Sequence, residues 1–372
     1  MDFALTDEQR DLSAAAARLL ADRYPIERVA ALADADSVDP DTWPHLRRQG
    51  WCDPDLGMVE KGLLAQEGGY ALAATPWWST VGLAHPIHRA AGREPTPDPL
   101  TVAWQDDPAG GGCHAVRQGD RWRLTGLRAL VTDATSATAL VVAAGTDAGL
   151  ALFAVRSPAD GLTVEPQPTL DRLRGAARLR FVDTPGELLV APDSAGQVLA
   201  RARRHANTLL ACEAVGVARR ALETARRHAG ERVQFGRPIG AYQAVAHRLA
   251  ESYVTLELAT SLALRACWLT GDSDAVPADI DQAEVEQAEV EQAEVEQAHA
   301  EAVVVGRQAA VRACEDALQV TGGLGATWEY PLHWWYRRAL WLDSFDTPTS
   351  VHLATLADHL LAGRPQPARP TA

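Results

Sequence analysis

The order of periodicities along the chain constrains its fold more than any other feature. From Asp2 to about Arg93 apolar residues recur at helical spacing, with alanine-rich runs such as Leu12 to Ala21 and breaks at Pro25, Pro40, Pro54 and Pro76. Between roughly Leu100 and Val190 the segments shorten to Arg121-Trp-Arg-Leu-Thr-Gly126, Ala139-Leu-Val-Val-Ala143, Leu150-Ala-Leu-Phe-Ala-Val155 and Leu179-Arg-Phe-Val182, divided by Gly, Asp and Pro. Strands at that spacing with no helices between them predict a small antiparallel barrel or sandwich. Helical spacing returns from Val198 to Leu361. Most α/β chains interleave their elements, so a helical, then β, then helical order is restrictive. It predicts an α+β chain with an N-terminal helical domain at 1–99, a middle β-barrel domain at 100–195 and a C-terminal helical bundle at 196–372.

Local signals sharpen this outline. Thr6 precedes Asp7, Glu8 and Gln9, so its hydroxyl can cap free N–H groups while Gln9 completes a capping box. Val245, Leu249, Tyr253, Leu256, Ala259 and Ala263 recur at three- and four-residue intervals and predict one apolar helical stripe. Residues 283–297 read AEVEQ three times. A five-residue step advances a helix by about 140° past a full turn, so Val285, Val290 and Val295 cannot share a face, and a solvated helical stretch is expected. That helix should stop at Gly322-Gly323, and the proline-rich tail from Gly363 to Ala372 should fray.

Charge and cysteine usage exclude several classes. A net charge of −14 argues against a nucleic-acid partner, which needs a basic surface. The first ten residues lack a basic stretch followed by an apolar run, so no signal peptide is expected. The most apolar segment, Ala139 to Val155, is too short to span a bilayer. Cys52, Cys113, Cys212, Cys267 and Cys314 form no CxxC pair, which reads as reduced thiols of a cytoplasmic protein. No HExxH or Cys/His cluster suggests a metal, and His352 and His359 are two helical turns apart. No Ser-His-Asp order stands out for nucleophilic catalysis.

Two segments carry chemistry. The first is Glu231-Arg-Val-Gln-Phe-Gly-Arg-Pro-Ile-Gly-Ala-Tyr-Gln-Ala-Val-Ala-His-Arg-Leu-Ala250; the second is Gln319-Val-Thr-Gly-Gly-Leu-Gly-Ala-Thr-Trp-Glu-Tyr-Pro-Leu332, followed by Arg337-Arg338. Arg232, beside a Phe-Gly turn at a helix end, can offer forked donors to a pyrophosphate. Gln319 leads into Gly322, Gly323 and Gly325, a corner where backbone can approach a nucleotide closely or merely cap a helix. Neither segment is a Rossmann or P-loop pattern. Both resemble the acyl-CoA dehydrogenase family, the first being close to its most specific signature, and the resemblance covers essentially the whole chain. It implies the family's fold, with a four-helix C-terminal bundle. It also implies FAD, whose adenosine diphosphate half would be bound across a dimer interface by Arg232, Gln234, Phe235, Gln319, Gly322 and Gly323.

The family's chemistry combines a carboxylate that removes a proton next to a thioester carbonyl with a flavin that accepts hydride from the β-carbon. Counting forward from Gln319, the position of the family's base falls on Asp346, one methylene shorter than the usual glutamate and followed by Thr347-Pro348. It reads either as a base or as a loop aspartate. The alternative base position of some members, counted back from Arg232, is Ala206. The run that holds the flavin ring in the family corresponds to Asp106-Asp-Pro-Ala-Gly-Gly-Gly-Cys113, with Asp106 in place of a threonine and Gly112 in place of a serine. Thr132 either half-keeps a later flavin-contacting element of the family or is an ordinary strand residue. This mixture resembles the partner subunit of actinobacterial heterotetrameric steroid-CoA dehydrogenases. It implies an α2β2 assembly with a second acyl-CoA dehydrogenase subunit, acting on a bulky acyl-CoA. A self-sufficient homo-oligomer using Asp346 and a non-enzymatic structural subunit are the alternatives. Outside these motifs, His333, Trp334, Trp335 and Tyr336 read as interface packing or a substrate lining, and Arg201, Arg203 and Arg204 as a solvated face or a CoA phosphate clamp.

Overall fold

The computed structural model describes residues 4–35, 38–108, 110–272 and 282–362, which form two compact units, Met1–Leu209 and Leu210–Ala372. The tail from Gly363 and the side chains of Val285 and Val290 lie outside the described residues.

The first unit opens with α1 (Asp7–Arg23), started by the capping box that the sequence predicts. Thr6 Oγ1 accepts from the Gln9 N–H at 3.2 Å, and Gln9 Oε1 accepts from the Thr6 N–H at 3.0 Å. Then follow α2 (Ile26–Asp34), α3 (Trp43–Arg48), α4 (Met58–Ala71), a π-helical segment at Trp78–Ala84, and α5 (His85–Ala90). The buried π-helical segment is tied to the β region by its own polar groups. Ser79 Oγ donates to Asp133 Oδ2 at 2.7 Å, and Thr80 Oγ1 exchanges hydrogen bonds with the Leu100 backbone at 3.0 and 2.9 Å.

Seven strands follow: β1 (Leu100–Ala103), β2 (Cys113–Gln118), β3 (Arg121–Thr132), β4 (Ala139–Thr146), β5 (Gly149–Arg156), β6 (Leu162–Gln167) and β7 (Ala176–Val190). Neighbours run β4-β2-β3-β7-β5, and β5 pairs again with β4, which closes a barrel; β1 and β6 add to β4 and β7. Alternation places Ala151, Phe153 and Val155 of β5 in a core with Leu124, Leu179 and Phe181. Burying a side chain of that size contributes about 1.5–3 kcal/mol.

The boundary between the units falls inside α6 (Pro192–Glu231), which starts at Pro192 rather than near Val198 because proline is tolerated in a first helical turn. The second unit is the expected helical bundle: the rest of α6, α7 (Gln243–Asp272), α8 (Gln282–Thr321), α9 (Leu332–Ser344) and α10 (Thr349–Ala362). The buried stripe of α7 runs through Ser252, Leu256, Ala259, Ala263 and Ala266. Tyr253, expected on that stripe, is exposed, because Ser252 Oγ reaches a buried partner, Asp316 Oδ2, at 2.5 Å. Small residues let the helices approach closely: a Cβ on Gly306 would stand 3.1 Å from the Ala211 carbonyl oxygen. The AEVEQ repeat falls within α8, where Glu294 and Glu301 pair with Arg265 of α7 at 3.0 and 2.9 Å.

Candidate functional site

Helix α6 ends at Glu231, and the Arg232 N–H donates to the His228 carbonyl at 2.9 Å. The chain then makes a small hairpin, β8 (Val233–Gln234) against β9 (Arg237–Pro238). Its turn residues, Phe235 and Gly236, both have positive φ (51° and 82°), the conformation that a tight two-residue hairpin requires. Three contacts fix this backbone. The Ile239 N–H donates to Arg232 O at 2.8 Å, Tyr242 Oη donates to Gln234 O at 3.0 Å, and the Arg237 guanidinium lies 4.1 Å from the Tyr242 ring centroid. The side chains of Arg232, Gln234 and Phe235 are exposed, Phe235 at 93%.

The second motif is equally open. Gln319 is exposed on the last turn of α8, and Gly322 takes φ +62° as the chain enters a 3₁₀ turn, Gly322–Leu324. A Cβ on Gly322 or Gly323 would meet nothing within 4 Å, so the backbone there is free for the close approach of a phosphate group. Helix α9, which follows this loop, lies against the hairpin's helix, the Arg220 guanidinium 5.2 Å from the Trp335 ring centroid. Burial raises the Tyr330 phenol's pKa, and Arg227, Glu231 and Arg220, all on α6, act on it electrostatically. The structure thus gathers Arg232, Gln234 and Phe235 on one hairpin and Gln319, Gly322 and Gly323 on one helix end. The open backbone and exposed guanidinium suit the diphosphate of a dinucleotide.

Asp346 stands on a different corner, between α9 and α10, half-buried with φ +62°. Its position is set by a residue that motif reasoning passed over. Buried Arg307, on α8, donates to the carbonyls of Asp343, Phe345 and Thr347 at 3.3, 2.8 and 2.8 Å and to Thr349 Oγ1 at 3.4 Å. Burial lowers the pKa of Arg307, opposed by Asp343 and Asp346. Nearby His352 packs edge-on against His299 at 5.3 Å. Burial, reinforced by Arg307 and opposed by Asp346, pushes His352 down to about 4, so it is neutral at ordinary pH. The one sequence hint of the brace is a lone arginine in the run Val303-Val-Val-Gly-Arg-Gln-Ala-Ala310.

The barrel segment Asp106–Cys113 behaves differently. Asp106 does not stand free; its carboxylate is paired with buried Arg128, whose Nε also donates to Ala143 O at 2.9 Å. A Cβ on Gly112 would lie 3.2 Å from Asp106 Oδ1, so the two departures from the family pattern are coupled: the aspartate folds over the place where a serine would stand. Asp107 is paired in turn with Arg178 at 2.5 Å. Thr132 is buried, its carbonyl accepting from Thr101 Oγ1 at 2.6 Å. Ala206 is buried too, its carbonyl accepting from the Trp78 indole N–H at 2.8 Å. Arg203 lies over the Trp104 ring at 6.0 Å.

Residues 197–361 match the family model for the acyl-CoA dehydrogenase C-terminal domain. Over 191 residues the chain is 34% identical to acyl-CoA dehydrogenase FadE34 of Mycobacterium tuberculosis, an overlap of 51% of this chain and 24% of FadE34. The chain covers less than two thirds of the length of such curated relatives, 58% at most among the first of them. Two solved structures align over nearly the full length. The ChsE4–ChsE5 complex of Mycobacterium tuberculosis has a TM-score of 0.82 at 23% identity, covering 98% of this chain and 100% of that one. A Tcur3481–Tcur3483 steroid ACAD variant has a TM-score of 0.78 at 27% identity, covering 96% and 98%. The C-terminal part of the chain, residues 197–361, thus matches the acyl-CoA dehydrogenase C-terminal domain, and the helix–barrel–helix order is that of both solved structures.

Proposed function

We propose that this chain is a subunit of an FAD-dependent acyl-CoA dehydrogenase complex and contributes mainly the half-site for the adenosine diphosphate part of FAD. The complex introduces an α,β double bond into a bulky CoA thioester of the steroid side-chain class, in the cytoplasm, as an α2β2 assembly with an unlike family member. One observation carries this reading: the Arg232 hairpin and the glycine corner are exposed and uncommitted, whereas Asp106 on the barrel is engaged by Arg128. Two structural neighbours support it, being a two-component complex and a steroid ACAD by their descriptions. When bound, FAD supplies the hydride acceptor. The chain's own part is to grip: Arg232 places its fork on the diphosphate, Gln234 and Gln319 offer amides, Phe235 covers the apolar edge, and Gly322 and Gly323 keep the backbone open.

A second reading has one specific observation in its favour. Arg307 pins the corner that carries Asp346, so the carboxylate has a fixed backbone from which to act as a base in a self-sufficient enzyme. The flavin-to-protein ratio separates the two. Purified alone the chain should be colourless and inactive; co-expressed with its partner it should carry stoichiometric flavin, and Arg232→Met should strip most of it. A chain that is yellow and active alone, and silenced by Asp346→Asn, establishes the second reading instead. An assembly that never holds stoichiometric flavin leaves a structural subunit.

A further inference from the structure

The glycine corner runs into an aromatic arrangement that none of the residues assigned above uses. Trp328, four residues from Leu324, is 57% exposed, yet its ring is held firmly. It stacks on His333 at 4.6 Å and 20°, stands edge-on to buried Trp334 at 5.4 Å, and has the Arg337 guanidinium 5.5 Å from its centroid. His333 Nε2 is within 3.1 Å of the Trp328 carbonyl; since a carbonyl only accepts, Nε2 carries the proton and ties ring to loop. An exposed indole usually costs conformational entropy to immobilise against a ligand. Here the ordering is already done.

Charge says what such a ring faces. The chain carries a net −14, yet between residues 219 and 237 it places Arg219, Arg220, Arg226, Arg227, Arg232 and Arg237 against only Glu223 and Glu231. Helix α9, whose His333 and Trp334 hold the Trp328 ring, meets this basic stretch: the Arg220 guanidinium lies 5.2 Å from the Trp335 ring centroid. A basic strip, a side-chain-free corner and a rigid aromatic face together recognise one chemistry: a planar base joined to a diphosphate. We propose that Trp328 is the stacking platform for the adenine ring of an adenosine diphosphate moiety whose phosphates lie on the Arg232 hairpin and the Gly322–Gly323 corner. This rests on the half-site reading given above and extends it to a residue on the far side of the glycine corner. FAD and CoA both carry such a moiety, and the stacking chemistry is common to them.

Equilibrium binding of ADP and of inorganic pyrophosphate to the full-length chain, with any subunit that copurifies, tests the assignment. Base stacking predicts that Trp328→Ala weakens ADP between about 5-fold and about 100-fold, that Trp328→Phe stays within about 3-fold of wild type, and that pyrophosphate binding is unchanged in both. The pyrophosphate arm separates stacking from a general loss of structure. Two results overturn the platform: ADP affinity untouched by Trp328→Ala, or ADP and pyrophosphate weakened equally. Absence of ADP binding in the wild type overturns the platform and the half-site together. Competition identifies the source. If FAD displaces ADP and CoA does not, both readings stand; if only CoA displaces it, the platform stands and the FAD half-site falls.

Discussion

The barrel segment around Asp106 and the hairpin around Arg232 are built from the same materials, charged side chains beside glycines, and put them to opposite uses. On the barrel, the carboxylate of Asp106 is matched by Arg128, that of Asp107 by Arg178, and Gly112 lies under the aspartate. On the hairpin and the glycine corner, Arg232, Gln234 and Gln319 extend into solvent from backbones that are themselves well fixed. A guanidinium engaged inside its own unit stabilises the fold and has nothing left for a ligand. One held at the surface by a rigid backbone contributes little to stability and is available for recognition. Motif matching treats the two segments alike; the pairing separates them.

The largest effect should come from the most deeply committed arginine in the helical unit. Arg338 is 0% exposed and paired with buried Glu213 of α6. Glu213→Gln leaves that cation without its counter-charge, at a cost of about 3–5 kcal/mol, read as a lowered urea midpoint. The double variant Glu213→Leu/Arg338→Met should recover most of it, since an apolar pair of similar volume replaces an ion pair at little loss. Arg232→Met, by contrast, should leave the midpoint in place. A large loss there would break the distinction between engaged and available arginines.

A smaller effect is expected on the barrel. Asp106→Asn takes the carboxylate from a guanidinium that is 5% exposed, but the Asp106 side chain itself is 73% exposed. Solvent therefore already screens the pair, and a loss of about 1 kcal/mol is expected. Amide exchange in strand β3 should quicken locally. If neither stability nor exchange moves, Arg128 does not lock the segment and the barrel is as uncommitted as the hairpin.

The helix–barrel–helix order, the capping box at Thr6, the positions of β3, β4, β5 and part of β7 and the end of α8 at the glycines were legible because each is written in local spacing, whereas β1, β2 and β6 were not singled out. The partner of Asp106 was not. Arg128 lies 22 residues along the chain, and its face of β3 depends on two register shifts against β7, between Leu124 and Gly126 and between Arg128 and Val131. A one-residue slip turns a side chain to the opposite face, so periodicity alone cannot assign it. The α7 stripe was misread by one residue at Tyr253 for a related reason. The burial of Ser252 is decided by Asp316, on a different helix. Arg307 escaped notice because its acceptors are backbone carbonyls, which no sequence pattern displays.

The smallest stability effect, and the sharpest contrast with binding, is expected at Phe235. At 93% exposure its ring buries almost nothing within the chain, so Phe235→Ala should change the urea midpoint by no more than about 0.5 kcal/mol. The turn should persist: its geometry is set by positive φ at Phe235 and Gly236 and by the Tyr242 bond to Gln234 O, none of which needs the ring. If Phe235 is part of the proposed half-site, flavin retention by the assembly should nevertheless fall, because a ring covered by the dinucleotide contributes only to the bound state. A Phe235→Ala assembly that keeps its flavin through extended dialysis would show that this exposed surface serves something other than the cofactor, most simply contact with the neighbouring subunit.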